Sequence, residues 1–130
     1  MKLNSKTVTV QKSAEQLCDY LSNVRNFEAL MPENTSKFEV LDDKSFVFAL
    51  KGMPEISLEV KEVEKPNKVV LGAANDKIPF SLTGNIQPVS ENSSTAELLF
   101  DGQLNTMMAM MLKAPISKFM DTLATNLEQI

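Results

Sequence analysis

The chain has 130 residues, which suits a single domain over residues 1–130, and its 13 basic and 17 acidic side chains give a net charge of −4. Because its basic residues are scattered singly and Arg25 is its one arginine, the sequence lacks the clustered basic surface of a nucleic-acid-binding protein. With no apolar leader and no run of about 20 apolar residues, we expect a cytoplasmic protein with no integral membrane segment.

The chain has no histidine and one cysteine, which limits the chemistry it can perform. Histidine is the usual acid or base near neutral pH and the commonest metal ligand, so the sequence predicts no metal and no cofactor. Cys18 has no histidine to activate it, and we interpret it as a buried small apolar residue. Neither a Gly-x-Ser-x-Gly elbow nor a glycine-rich phosphate loop occurs, and we assign no catalytic residue.

The first elements are a strand and two short helices. Alternating β-branched residues over Thr7–Val10 predict the strand. Ser13, with Gln16 three residues later, predicts a capping box that begins a helix, and a second short helix is expected between Asn23 and Pro32. The first helix has an apolar stripe made of Ala14, Leu17, Cys18 and Leu21.

Six further strands are predicted to form hairpins, because the loop lengths between them determine which side chains share a face. The first three loops predict these cross-strand pairs: Val40 with Phe46, Phe38 with Phe48, Leu50 with Ile56, Phe48 with Leu58, Val60 with Leu71, and Leu58 with Ala73. The last loop, Glu91–Ser93, predicts Pro88 with Ala96, Ile86 with Leu98, Gly84 with Phe100, and Leu82 with Gly102. Two glycines opposite bulky residues indicate a curled sheet.

From Asn105 to Ile130 the apolar spacing becomes helical, with a stripe of Met108, Met111 or Leu112, Ile116, Phe119 or Met120, Leu123, Leu127 and Ile130. Pro115 predicts a kink or break near Lys113–Ala114, and hence a helix in two pieces. Five of the eight methionines lie between Met107 and Met120. Their flexibility suits either a surface that adapts to guests or an ordinary core with gap-filling side chains.

The order of elements, Thr7–Val10 followed by Ser13–Leu17, and the stretch Phe27–Pro32 before the first hairpin resemble the START/birch-pollen-allergen superfamily, also called SRPBCC. The resemblance implies an α+β helix-grip fold. In that fold a seven-stranded antiparallel curled sheet surrounds a long C-terminal helix, with two short helices after strand 1. Many members bind lipids, sterols or polyketides in a cavity between sheet and helix, and others are cyclases, hydrolases or accessory proteins.

The predicted cavity is lined by the inward-facing apolar residues Phe46, Phe48, Leu58, Val60, Leu71, Leu82, Phe100, Met108 and Met111. Glu62 is the one carboxylate with inward parity, and it would act as an acid or bind a ligand hydroxyl unless its strand end is solvated. Tyr20 would be a second polar group in the cavity if the end of its helix points toward the cavity. Arg25 either holds a ligand carboxylate at the mouth or pairs with Glu28 on the surface.

Three functions fit these residues. The first is binding or carriage of a hydrophobic small molecule, such as a lipid, an isoprenoid or a polyketide-like compound. The second is a cofactor-independent cyclase or hydratase that relies on Glu62 and Tyr20. The third is a module with a filled core that docks a protein partner through the exposed side of the last helix or through the loop at Met53–Pro54.

Overall fold

The computed structural model describes residues 1–52, 55–74, 80–103 and 105–130, which form one antiparallel sheet with helices packed against it. The strands are β1 (Lys2–Asn4), β2 (Val8–Val10), β3 (Thr35–Asp42), β4 (Ser45–Leu50), β5 (Ile56–Glu64), β6 (Lys68–Ala73), β7 (Phe80–Ser90) and β8 (Ser93–Gly102). The helices are α1 (Ala14–Ser22), α2 (Phe27–Leu30) and α3 (Thr106–Leu127), with a short 3₁₀ turn at Val24–Asn26 before α2. This is the predicted α+β architecture.

The sheet has eight strands in the described residues, one more than the sequence predicts, because the first edge strand is divided in two. The strand order is β1-β8-β7-β6-β5-β4-β3. Strand β2 also pairs with β8, next to β1 along the same edge. At the division, the backbone N–H of Ser5 donates to the carbonyl of Leu98 at 2.8 Å, and the Ser5 hydroxyl accepts from the Leu98 N–H at 3.0 Å. The hydroxyl thus replaces a backbone carbonyl where the edge strand is interrupted.

The first helix begins as the sequence predicts. The Gln16 N–H donates to the Ser13 hydroxyl and the Ser13 N–H donates to the Gln16 side chain, both at 3.1 Å, so two free amides are satisfied reciprocally. The apolar stripe of α1 is buried against the sheet. The second helix, α2, ends at Leu30, two residues before Pro32, which agrees with the predicted stop.

Apart from the end of β5, the predicted strand faces are correct, but the predicted register is correct only in part. The pairs Val40 with Phe46, Phe38 with Phe48, Val60 with Leu71, and Leu58 with Ala73 all occur. In the β4–β5 and β7–β8 hairpins the predicted register is wrong by two residues, and the observed pairs are Phe46 with Leu58, Phe48 with Ile56, Ile86 with Ala96, Gly84 with Leu98, Leu82 with Phe100, and Phe80 with Gly102. Because side chains alternate with a period of two, a shift of two residues keeps every side chain on its face.

A local irregularity explains the shift in the β7–β8 hairpin. In β7–β8 an irregularity between Pro88 and Ser90 leaves Ser90 opposite Ser93, so the turn is shorter than the predicted loop. The edge strand β3 has two further irregularities, between Thr35 and Lys37 and between Val40 and Asp42. Gly102 still faces a large residue, and a Cβ there would lie 3.0 Å from the Phe100 ring, so the ring covers bare backbone.

The last helix, α3, is continuous over 22 residues, so the predicted break at Lys113–Ala114 is wrong. Asn105 caps it, its side chain accepting from the Met108 N–H at 2.8 Å. Proline removes one backbone hydrogen bond, and the helix persists past Pro115 because the residues that follow are anchored in the core. These buried positions are Ile116, Phe119, Met120, Leu123, Ala124 and Leu127. No helix in the described part of the chain is long and apolar enough to span a bilayer.

Candidate ligand-binding site

The inner face of the sheet is apolar and faces α3. Six of the predicted lining residues are buried there: Phe46, Phe48, Leu58, Leu71, Leu82 and Phe100. Leu58 is 2% exposed and Phe100 is 7% exposed, which excludes an arrangement in which these side chains point into solvent. Val60 and Met108 are half-buried. The alternation of the strands therefore brings most of the predicted set to one face.

Stacked phenylalanine rings fill one part of the space between sheet and helices. The Phe46 ring lies 5.2 Å from the ring of Phe27, on α2, and 5.2 Å from that of Phe38, on β3. The ring of Phe48 stacks on that of Phe119, on α3, at 5.0 Å and 8°. These contacts hold α2 and the second half of α3 against β3 and β4, so this part is a solid core.

The two halves of α3 differ in burial. We call residues 106–115 the proximal segment and residues 116–127 the distal segment. The distal segment contains all of the buried positions of α3. In the proximal segment, Met108 and Leu112 are half-buried, whereas Met107, Met110 and Met111 are 73%, 78% and 68% exposed. The contact of α3 with the sheet thus loosens toward its N-terminus.

Met111 does not lie on the inner side of α3, in contrast to its predicted role as a lining residue. At about 100° per residue, Met111 is about 140° from the buried Ile116 around the helix, whereas Leu112 is about 40° from it. The sequence left Met111 and Leu112 as alternatives, and the structure favours Leu112. The exposed Met107 and Met110 lie on the outer side as well.

Glu62 is exposed, so the prediction that it faces inward is wrong. The register between β5 and β6 shifts after Val60, which pairs with Leu71, and Glu62 then pairs with Val70. This extra residue at Lys61 reverses the alternation, as a β-bulge does. Glu62 lies with Val60 on a shallow surface cleft of about 310 Å³, which is also lined by Ser22, Asp43, Lys44, Lys61 and Val63.

The remaining candidate side chains are close to this cleft or buried in α1. Arg25 lies 3.6 Å from Asp43 rather than pairing with Glu28, and both partners are exposed. Tyr20 is half-buried, and desolvation raises the pKa of its phenol. Cys18 is fully buried, as predicted, and burial, followed by the charge of Asp19, raises the pKa of its thiol. Both groups are therefore neutral near pH 7.

A second cleft, which the sequence did not indicate, crosses the middle of α3. This midhelix cleft has a volume of about 340 Å³ and is lined by Pro32, Asn34, Leu50, Lys51, Gly52, Pro115, Lys118, Phe119 and Thr122. It brings together the α2–β3 connection, the end of β4 and α3, which are far apart in sequence. No local motif connects these segments, so only the tertiary fold reveals the cleft.

Two other expectations concern loops and metals. The loop at Met53–Pro54, which the sequence suggested as a docking site, lies outside the described residues. Within residues 1–52, 55–74, 80–103 and 105–130, no group of three or more Cys, Asp or Glu side chains is arranged to hold a metal ion.

Comparison with known proteins gives structural matches but no sequence matches. No protein-family model matches the chain, and no curated protein sequence matches it. A START superfamily protein from Mycobacterium smegmatis superimposes with a TM-score of 0.70 at 16% identity, covering 98% of this chain and 94% of that one. Norcoclaurine synthase from Thalictrum flavum superimposes with a TM-score of 0.75 at 11% identity, covering 99% and 84%.

The same synthase in complex with dopamine and hydroxybenzaldehyde has a TM-score of 0.70 at 10% identity, covering 99% of this chain and 87% of that one. With the long helix across an antiparallel sheet, these matches confirm the resemblance at the level of the fold: the chain has the helix-grip fold of START and Bet v 1-like proteins. At these identities the likeness defines the architecture and not the activity.

Proposed function

We propose that this chain binds and carries a hydrophobic small molecule, such as a lipid, an isoprenoid or a polyketide-like compound, between the inner face of the sheet and the proximal segment of α3. The observation that carries the proposal is the change of burial along α3. Its distal segment is packed into the core, whereas Met108 and Leu112 on the inner side of the proximal segment are only half-buried. A guest between sheet and helix would cover this apolar surface.

The chemistry of the inner face favours an apolar guest. Leu71, Leu82 and Phe100 are neighbours on that face through direct cross-strand pairing, and the pairs bring no charged group among them. Each methylene group transferred from water to such a surface contributes about 0.8 kcal/mol, so a hydrocarbon guest gains affinity with length. Methionine adapts to guests of different shape because its side chain is unbranched and flexible.

The proposed guest contacts are Phe48, Leu58, Val60, Leu71, Leu82, Phe100 and Met108. Phe46 supports them from the solid core through its ring stacks with Phe27 and Phe38. Glu62 and Met111 are left out because both side chains are exposed away from the inner face. The cytoplasmic location stays a prediction from the sequence.

The test is native mass spectrometry of protein purified from its own host. We expect an added mass of a few hundred daltons that is lost on denaturation and is recovered as an apolar compound by solvent extraction. Met108→Trp should reduce the bound fraction about tenfold by filling the half-buried space, whereas Met110→Trp, on the exposed side of the same helix, should leave it unchanged. A bare protein mass in both natively purified and guest-supplemented samples would contradict the proposal.

The filled-core module is the second candidate, because the phenylalanine stacks occupy part of the space between sheet and helices. A bare mass together with a specific protein recovered in a gentle pull-down would favour it. The cyclase or hydratase hypothesis has less support, because the Glu62 side chain is exposed to solvent and does not lie on the inner face. It requires that Glu62→Gln and Tyr20→Phe each abolish turnover of a bound guest.

A further inference from the structure

The midhelix cleft contains two cationic side chains from separate elements. Lys51 follows β4, and Lys118 is on α3, so the fold brings them to the same opening. Among the described residues that line the cleft there is no carboxylate. In a chain with a net charge of −4, two ammonium groups without a carboxylate form a locally positive site.

The carboxylates closest in sequence to these lysines are exposed or have other partners. Glu33 lies between two lining residues, but it is exposed and does not line the cleft. Glu55 pairs with Lys37, with 2.6 Å between nitrogen and oxygen. Asp121 accepts from the backbone N–H of Lys6 at 3.2 Å. Neither Lys51 nor Lys118 makes an ion pair in the part of the chain that the structure describes.

The rest of the cleft is mainly apolar and adjoins the interior. Leu50, Pro115 and Phe119 line it, and the Phe119 ring stacks on Phe48, a residue of the inner sheet face. Phe119 is therefore shared by the cleft and the core. A molecule seated here would have its charged end at the lysines and its apolar end against this ring.

Hydrogen bonds within and between the segments around the cleft make it preformed. The Lys51 N–H donates to the Asn34 carbonyl at 2.8 Å, which joins the β4–β5 connection to the α2–β3 connection. The Thr35 hydroxyl donates to the Pro32 carbonyl at 2.7 Å, and the Asn126 side chain donates to the Leu30 carbonyl at 2.8 Å, which joins α3 to α2. A preformed site loses less entropy on binding than a flexible one.

We propose that the cleft binds the anionic head of a single-chain amphiphile, a carboxylate or a phosphate, between Lys51 and Lys118, with the apolar chain directed along Leu50, Pro115 and Phe119. The volume of about 340 Å³ is within the range of small-molecule sites. This inference rests on the proposed function and narrows its guest from any hydrophobic molecule to one with a negative end.

The test compares three probes with the same chain: dodecanoate, dodecyl phosphate and the neutral dodecanol. Each is titrated below its critical micelle concentration into ¹⁵N-labelled full-length protein, and the dissociation constant is obtained from amide shifts. We expect one or both anions to bind about tenfold more tightly than dodecanol at low ionic strength, because each lysine contributes one partly solvated ion pair. The preference should decrease as salt is added.

Two double variants with the same loss of charge separate the cleft from the net charge. Lys51→Gln with Lys118→Gln should reduce the preference for an anion to less than about threefold. Lys2→Gln with Lys113→Gln, two exposed lysines that do not line the cleft, should retain it.

The three probes and the two double variants also separate the inference from the proposed function, and a carboxylate head group from a phosphate head group. Tight binding of only one anion identifies a carboxylate or a phosphate as the preferred head. Equal binding of dodecanol and both anions, or an anion preference that the first double variant retains, would overturn the inference and leave the proposed function intact. If none of the three probes binds, both fail.

Discussion

Ser5 is a polar side chain that completes the backbone hydrogen bonding of the sheet. It is 2% exposed, its hydroxyl accepts from the Leu98 N–H at 3.0 Å, and it donates to the Lys6 carbonyl at 2.8 Å. At the point where the first edge strand is interrupted, the Leu98 amide would otherwise be buried without a partner. A single hydroxyl therefore allows the strand to be divided at little cost.

We expect Ser5→Ala to lower the free energy of unfolding by about 1–3 kcal/mol, because it leaves the Leu98 N–H buried and unsatisfied. Urea denaturation followed by circular dichroism measures the effect. Ser90→Ala is the matched control, since the Ser90 hydroxyl bonds only at an exposed turn, and its change should stay within about 0.5 kcal/mol. Equal effects of the two variants would contradict this role of Ser5.

Cys18 should be chemically inert in the folded protein. Its side chain is fully buried, and burial raises the pKa of the thiol from its usual 9.0, so less thiolate is present at pH 8 than in the unfolded chain. We expect a thiol reagent to react at least about 100 times more slowly with native protein than with protein in urea. Similar rates at pH 8 would mean that α1 opens far more readily than its packing indicates.

At the scale of elements, α3 combines an anchored half with a loosely packed half. The sequence predicted the apolar stripe, because it depends on local spacing. It allowed Met111 or Leu112 in the stripe and placed Met111 in the cavity lining, which is wrong, since only the position of the sheet decides between them. Pro115 predicted a kink or a break, and the break does not occur. The packing that holds the following residues in the helix is not visible in a local pattern.

The difference between the halves predicts different costs of truncation along one helix. Phe119→Ala should lower the free energy of unfolding by about 3–5 kcal/mol, because it removes the ring that stacks on Phe48. Met110→Ala, at a position that is mostly solvent-exposed, should change it by less than about 0.5 kcal/mol. Thermal and urea denaturation of both variants provide the comparison. A large loss for Met110→Ala would show that the proximal segment is packed against other residues.

At the scale of the whole molecule, alternation determines the fold more strongly than exact pairing does. The sequence predicted the correct face for Leu82 and Phe100 although it predicted the wrong partner for each, because a shift of two residues preserves the face. The same reasoning failed at Glu62, where one extra residue reverses the alternation. Bulges depend on tertiary fit, so a sequence pattern locates the inner face well and individual site residues at strand ends poorly.

Binding of a guest should affect one end of the molecule. When dodecanol is added, we expect hydrogen exchange of amides in residues 107–113 to slow at least about threefold, because the guest would cover the inner side of the proximal segment. Amides of residues 120–127 should change little, since that segment is already buried. Hydrogen exchange monitored by mass spectrometry measures both regions. Uniform slowing along α3 would indicate general stabilisation rather than binding at this end.

The irregular edges of the sheet have a consequence for behaviour at high concentration. One edge is divided at Ser5, and the other, β3, changes register twice, between Thr35 and Lys37 and between Val40 and Asp42. A regular edge offers a continuous row of free amides and carbonyls on which a strand from another molecule can extend the sheet. Because both edges here are interrupted every few residues, the protein presents a poor template for fibril growth while it retains a large apolar interior.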